Sequence, residues 1–160
     1  PLRDAAVGAM AEAKKSGTKV SIALADPGVV NRNGDALRSI AKEYADILFL
    51  NEEEAKAFTG KEGKAALADV QSLCEIAVVK TGSKGSLVSC GGSVFEIPPF
   101  PVTVVNTNGA GDNYAAGMIF GLTHGYSVER SARIGSFAAS RVVAVAGARL
   151  EKRFEVNEAL

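Results

Sequence analysis

Val104-Val105-Asn106-Thr107-Asn108-Gly109-Ala110-Gly111-Asp112-Asn113-Tyr114-Ala115-Ala116-Gly117 is the stretch around which the chain is organised. An apolar run ends, a Gly-rich turn follows, and a helix opens with a carboxylate in its first turn. The small residues of Thr107-Asn108-Gly109-Ala110-Gly111 let several backbone N–H groups turn toward one point. A helix N-terminus leaves such donors unpaired, and the macrodipole there favours an anion such as a phosphate. Asp112 beside that point can take or orient a proton on a nucleophile. Two better-known glycine loops are excluded by spacing. G-x-G-x-x-G would need Gly where Tyr114 stands, and the Gly-Lys-Ser/Thr of a Walker loop occurs nowhere in the chain. Taken bare, Gly-Ala-Gly-Asp is equally a strand–turn–helix corner with structural glycines.

The flanking chain alternates strands and helices. Residues 3–15 carry a helical pattern ended by Gly17, and Lys19 to Ala25 reads as a buried strand stopped by Asp26-Pro27-Gly28. A helix is expected over 34–44, a strand over 46–50, and a further helix from Asn51-Glu52-Glu53-Glu54. Residues 63–73 are helical in pattern, and Glu75 to Lys80 is a third strand. Gly85 to Cys90 and Ser93 to Pro98 flank Gly91-Gly92 as a hairpin. A strand should precede the Gly-rich turn, and Ser127 should cap a last helix running to about Ala146. This rhythm predicts an α/β fold: a doubly wound, mostly parallel sheet with helices on both faces and a β-hairpin edge. Ligands in such sheets sit beyond the carboxyl ends of the strands. Asp26, Asn51, Lys80-Thr81-Gly82 and Gly109 to Asp112 all follow expected strand ends.

The 160 residues suffice for one domain with a sizeable core. Hydrophobic residues are 47% and charged ones 22%, a globular balance. Eighteen basic residues offset eighteen acidic ones, so no strong field toward nucleic acid or a membrane surface is expected. Phosphate recognition must then be local. No apolar run approaches the ~18 residues of a membrane span. Cys74 and Cys90 read as buried thiols in a reducing compartment, which points to the cytoplasm.

Asn106-Thr107-Asn108-Gly109-Ala110-Gly111-Asp112 resembles the D-T-x-G-A-G-D signature of the ribokinase-like (PfkB-type) carbohydrate and nucleoside kinases, agreeing at six of seven positions, and the Asn after Thr is similar to the adenosine-kinase-like branch. The resemblance implies that Asp112 is the catalytic base and that Gly109, Ala110 and Gly111 supply backbone donors to the transferring phosphoryl group. Thr107 then lies against the nucleotide. Asn51-Glu52-Glu53-Glu54 resembles the N-x-x-E element, implying Asn51 near the phosphates and Glu54 in a magnesium shell, largely through water. Acids in a first turn also complement the helix dipole, so a structural role stays open. Val78-Val79-Lys80-Thr81-Gly82-Ser83-Lys84-Gly85 resembles the family's nucleotide loop, with Lys80 in place of the commoner Thr; Lys80, Thr81, Gly82 and Gly85 are the nucleotide candidates there. Ser136 falls where the family often has Asn or His near the adenine. Gly147-Ala148 resembles the loop beside a monovalent-cation site. Asn106, where the family has Asp, keeps the shape of that cation position and drops its charge, so altered cation dependence is expected.

The expected cofactors are therefore ATP and Mg²⁺, with K⁺ as a third candidate, and the expected acceptor is a hydroxyl of a sugar or nucleoside. The resemblance covers nearly the whole chain but only the carboxyl-terminal half of such a kinase. The single α/β domain 1–160 is thus expected to be the nucleotide-binding part, with the acceptor pocket and lid in the other half. Alone it should bind nucleotide weakly and transfer no phosphoryl group. An exposed sheet edge would favour association, with a second copy or another chain. A rival of another class is a non-catalytic nucleotide-binding or regulatory protein of the same fold. A kinase of a pyrimidine or vitamin alcohol is a third reading.

Overall fold

The computed structural model describes residues 2–150 and 153–160. Its elements are α1 (Leu2–Lys15), β1 (Ser21–Ala23), α2 (Pro27–Tyr44), β2 (Ile47–Asn51), α3 (Glu52–Thr59), α4 (Gly63–Gln71), β3 (Ile76–Lys80), β4 (Ser86–Cys90), β5 (Ser93–Ile97), α5 (Ala110–Thr123) and α6 (Val128–Val143). The strands form one sheet in the order β1-β2-β3-β4-β5. β1 and β2 are parallel, pairing Ser21 with Ile47, Ile22 with Leu48 and Ala23 with Phe49. β4 and β5 are joined by Gly91-Gly92, both at positive φ (56° and 81°) as a two-residue hairpin turn requires. The sheet is therefore mixed. No helix among the described residues is long and apolar enough to cross a membrane.

The chain divides into two compact units, Pro1–Val79 with Ser89–Val94, and Lys80–Val88 with Phe95–Leu160. In the first, Leu48, Phe49, Leu50, Leu67, Val70, Val78 and Val79 are almost wholly buried. Continuous apolar runs of this kind suit strands covered on both sides. β1 is shorter than the expected 19–25, because Ala25 turns to φ 65° and Asp26 begins the next helix. α2 starts at Pro27 and not near residue 34. The Asp26 carboxylate accepts from Val29 N–H (2.8 Å) as an N-cap, and Pro27 takes the first helical turn, where its missing N–H costs nothing. The helix kinks at Asn33 (φ −131°), whose amide donates to Val29 O, so the expected span 34–44 is the part beyond the kink.

A buried carboxylate ties this unit together. Asp46 accepts from Val20 N–H (2.7 Å) and from Lys14 Nζ (2.9 and 3.0 Å), with Lys19 Nζ at 3.3 Å. Burial pushes its pKa up, but the Val20 N–H and the two ammonium groups outweigh burial and hold it below the ordinary carboxylate range. A group depressed in the folded state stabilises above its unfolded pKa and loses that contribution as pH falls through the folded one. Stability is thus expected to drop as pH goes below about 4. In Asp46→Ala that pH dependence flattens, and the orphaned Val20 N–H lowers stability by about 1–3 kcal/mol in urea melts at neutral pH.

In the second unit α5 and α6 touch at backbone distance. A methyl group added to Gly117 would lie 3.0 Å from Gly135 Cα, and one added to Gly135 would lie 2.6 Å from Tyr114 O. Phe137 of α6 makes edge contacts with Phe100 and Phe154, at 5.0 and 5.1 Å between ring centroids. Two expectations fail here. No strand precedes the Gly-rich turn: residues 98–107 are irregular. Pro98, Pro99 and Pro101 lack N–H donors for a ladder, and Val104 and Val105 are each 58% exposed. The last helix stops at Val143 and not near Ala146. Val143 O, which a continuing helix would offer to residue 147, accepts instead from Val105 N–H (2.7 Å) and Asn106 N–H (3.3 Å).

Candidate active site

The N-terminus of α5 is built by side chains that fold the loop back on itself. Asn106 Oδ1 accepts from Asn108 N–H (2.7 Å), and Gly109 takes the left-handed conformation (φ 75°) as N-cap. Asn113 donates both its N–H and its Nδ2 to Gly109 O, each at 2.9 Å. Gly109 lies so close to Ala148 that an added methyl would come within 2.8 Å of its carbonyl oxygen, so no larger residue fits. Ala110 N–H makes a long bond to Thr107 O (3.3 Å). The N–H groups of Gly109, Gly111 and Asp112 have no hydrogen-bond partner among the described residues. Three donors are thus available at the positive end of a 14-residue helix.

A cleft of about 520 Å³ opens beside this terminus, entirely within the second unit. Ala110, Gly111 and Thr107 line it, as do Lys80, Gly82 and Gly85 from the loop after β3. Apolar surface comes from Phe100, Val102, Val104, Ala139 and Val143. Lys80 Nζ reaches Gly111 closely: a methyl group there would lie 2.8 Å from the ammonium nitrogen. An ammonium and unpaired peptide donors on one wall make a local anion site in a chain of zero net charge. Ser136 lines the cleft and donates to Pro98 O (3.2 Å). Thr81 sits just outside the lining, its N–H bonded to Gly85 O (2.8 Å). Asp112 is exposed at the helix start, and among the described residues its carboxylate has no hydrogen bond or ion pair. Gly147 belongs to the loop after α6.

One residue of the cleft escaped the sequence reading. Tyr114 is 4% exposed, its hydroxyl 2.7 Å from Ser86 Oγ, so it ties α5 to the start of β4. Burial pushes its phenol pKa well up, keeping it neutral. The available signal was spacing: Tyr114 is three residues beyond Gly111 and shares its helix face.

Asn51 and Glu54 belong to the first unit. They form a complete capping box: Glu54 N–H donates to Asn51 Oδ1 (2.7 Å), Asn51 N–H to Glu54 Oε2 (2.9 Å), and Asn51 Nδ2 to Glu54 Oε1 (2.8 Å). Glu54 is 3% exposed. Each carboxylate oxygen accepts one of these bonds and keeps a lone pair. No group of three or more His, Cys, Asp or Glu side chains placed to hold a metal occurs among the described residues.

A mixed sheet with helices, and a Gly-rich helix start opening on an apolar cleft, put the chain in the α/β class whose ligands bind at such helix ends. The chain belongs to the pfkB family of carbohydrate kinases, whose family model matches residues 1–153. It is 31% identical over 151 residues to a 5-dehydro-2-deoxygluconokinase of Bacillus subtilis, covering 89% of this chain and 46% of that protein. Among solved structures, a probable sugar kinase of Rhizobium etli matches with TM-score 0.91 at 27% identity, over 99% of this chain and 48% of the other. The adenosine kinase of Sinorhizobium meliloti matches with TM-score 0.89 at 32% identity, over 94% of this chain and 47% of the other. The chain therefore spans about half the length of these relatives. They are sugar and nucleoside kinases, and ATP is the donor expected of the family.

Proposed function

We propose that this chain is the nucleotide-binding portion of an ATP-dependent kinase that phosphorylates a hydroxyl group of a sugar or nucleoside. The observation that carries the reading is the set of unpaired N–H groups of Gly109, Gly111 and Asp112 on the edge of the cleft, with Lys80 Nζ against Gly111. Phe100, Val102, Ala139 and Val143 offer apolar surface to the base, with Ser136 beside it. Thr107 and the loop at Lys80, Thr81, Gly82 and Gly85 hold the phosphates. As the acceptor oxygen bonds to the γ-phosphorus, the bond from that phosphorus to the bridging oxygen breaks, and ADP leaves. Asp112 takes the acceptor proton, and the prepositioned N–H groups hold the charge spread over the phosphoryl oxygens. Mg²⁺ would supply charge neutralisation to the phosphates, and Glu54 and Asn51, in the first unit, are the residues the family resemblance offers it, through water.

A second reading, nucleotide binding without turnover, is favoured by Asn106, which stands where the family signature has Asp. Calorimetric titration of the protein with ATP and with adenosine tests binding itself. ATP should bind more tightly than adenosine, and Lys80→Thr should weaken ATP by about tenfold or more, the loss of a charged hydrogen bond, while leaving adenosine unchanged. Equal binding of the two ligands by the wild type would refute the phosphate site.

A further inference from the structure

The loop after α6 is held by carboxamides. Asn106 Nδ2 donates to Val145 O (2.9 Å) while its Oδ1 accepts from Asn108 N–H (2.7 Å). This fixes the amide's orientation, since the reverse would set oxygen against the Val145 carbonyl and NH₂ against an N–H. Asn113 Nδ2 reaches Ala148 O (3.3 Å), and Val143 O takes the N–H groups of Val105 and Asn106. Three carbonyl oxygens of the segment 143–148 thus accept from N–H donors. Carbonyl oxygens are the ligands a hard monovalent cation would take. The side chain at the position where the resemblance implies such a cation does not fit one: it presents an NH₂ group to the Val145 carbonyl where a carboxylate would stand.

We propose that the Asn106 carboxamide does here the structural work of a monovalent cation, ordering residues 144–149 against the Gly-rich turn without an ion. The inference rests on the kinase reading only for the expectation of a cation; the contacts stand on their own geometry. An Asp at 106 would face Val145 O with a second acceptor, and an ion between them would relieve the repulsion.

Hydrogen–deuterium exchange of the protein in KCl, NaCl and choline chloride at equal ionic strength tests it, with and without ATP. In the wild type, amides 144–149 should exchange at the same rate in all three salts. In Asn106→Asp they should exchange about tenfold faster in choline chloride, with KCl restoring protection. Wild-type protection that falls in choline chloride and returns in KCl overturns the proposal, and so does an Asn106→Asp protein indifferent to salt. The wild-type comparison decides alone if the variant does not fold. Failure of the kinase reading appears separately, as the absence of any ATP effect in every salt.

Discussion

Asp112→Asn is expected to lower phosphoryl transfer by the protein about 10²–10⁴-fold, the usual contribution of a positioned base, while ATP affinity stays nearly unchanged. Asn has almost the same shape and can still orient a hydroxyl, but it cannot accept the proton released as the acceptor oxygen bonds to phosphorus. The Asp112 carboxylate has no hydrogen bond or ion pair among the described residues, so the substitution breaks no contact seen there. The cost to helix stability is confined to a first-turn charge, about 0.3–1 kcal/mol. The measurement is transfer of labelled γ-phosphate from ATP to a panel of sugars and nucleosides, wild type against variant, both as full-length protein with the acceptor half present. A variant as fast as the wild type removes Asp112 from the mechanism. A wild type that has the acceptor half, binds ATP and transfers nothing to any acceptor establishes the non-catalytic reading.

The largest structural effect is expected from Gly85→Ala. The family resemblance implies that Gly85 is a nucleotide contact, and it does line the cleft. The need for glycine there has other causes. Its backbone stands at φ 98° and ψ −127°, a region closed to other residues, and a methyl group would overlap the Ile97 carbonyl oxygen and lie 3.0 Å from Pro99 N. Backbone strain of about 1–3 kcal/mol and overpacking of a similar size add to roughly 2–6 kcal/mol. The thermal midpoint should then fall by roughly 6–18 °C. Gly91→Asn serves as the control: Gly91 has φ 56° with open space around it, and Asn tolerates that turn. A Gly85→Ala protein as stable as this control would show that β5 yields easily.

How far the chain could be read without coordinates depended on whether the deciding force was local. β2 and β3 were legible because Ile47 to Leu50 and Ile76 to Val79 are unbroken apolar runs, and full burial leaves such runs few alternatives. The hairpin was legible from Gly91-Gly92. The same reasoning misjudged Val102 to Val105, where prolines upstream remove ladder donors and a helix-end carbonyl takes the N–H groups instead. That carbonyl is distant in sequence, so nothing nearby announced it. Asp26-Pro27 was read as a stop when it is a cap and a first turn; the two differ only in whether Asp26 accepts from Val29. At the site, the Gly-rich turn and Asp112 were visible as a motif. The approach of Lys80 to Gly111 and the Tyr114–Ser86 bond join residues 31 and 28 apart and follow from the fold. Asn51 and Glu54 had been read as phosphate and metal contacts or as a helix start, and the capping box shows the second role fully formed.

The backbone contact between Gly117 and Gly135 has a mechanical consequence. Long side chains act as lubricant between helices, because their rotamers let one rod slide past another; two bare peptide backbones have none. The start of α5 accordingly inherits its coordinates from α6 as if machined from one block. Adjusting this end to a bulkier ligand must be done by other segments of the protein, since this pair has no play to give.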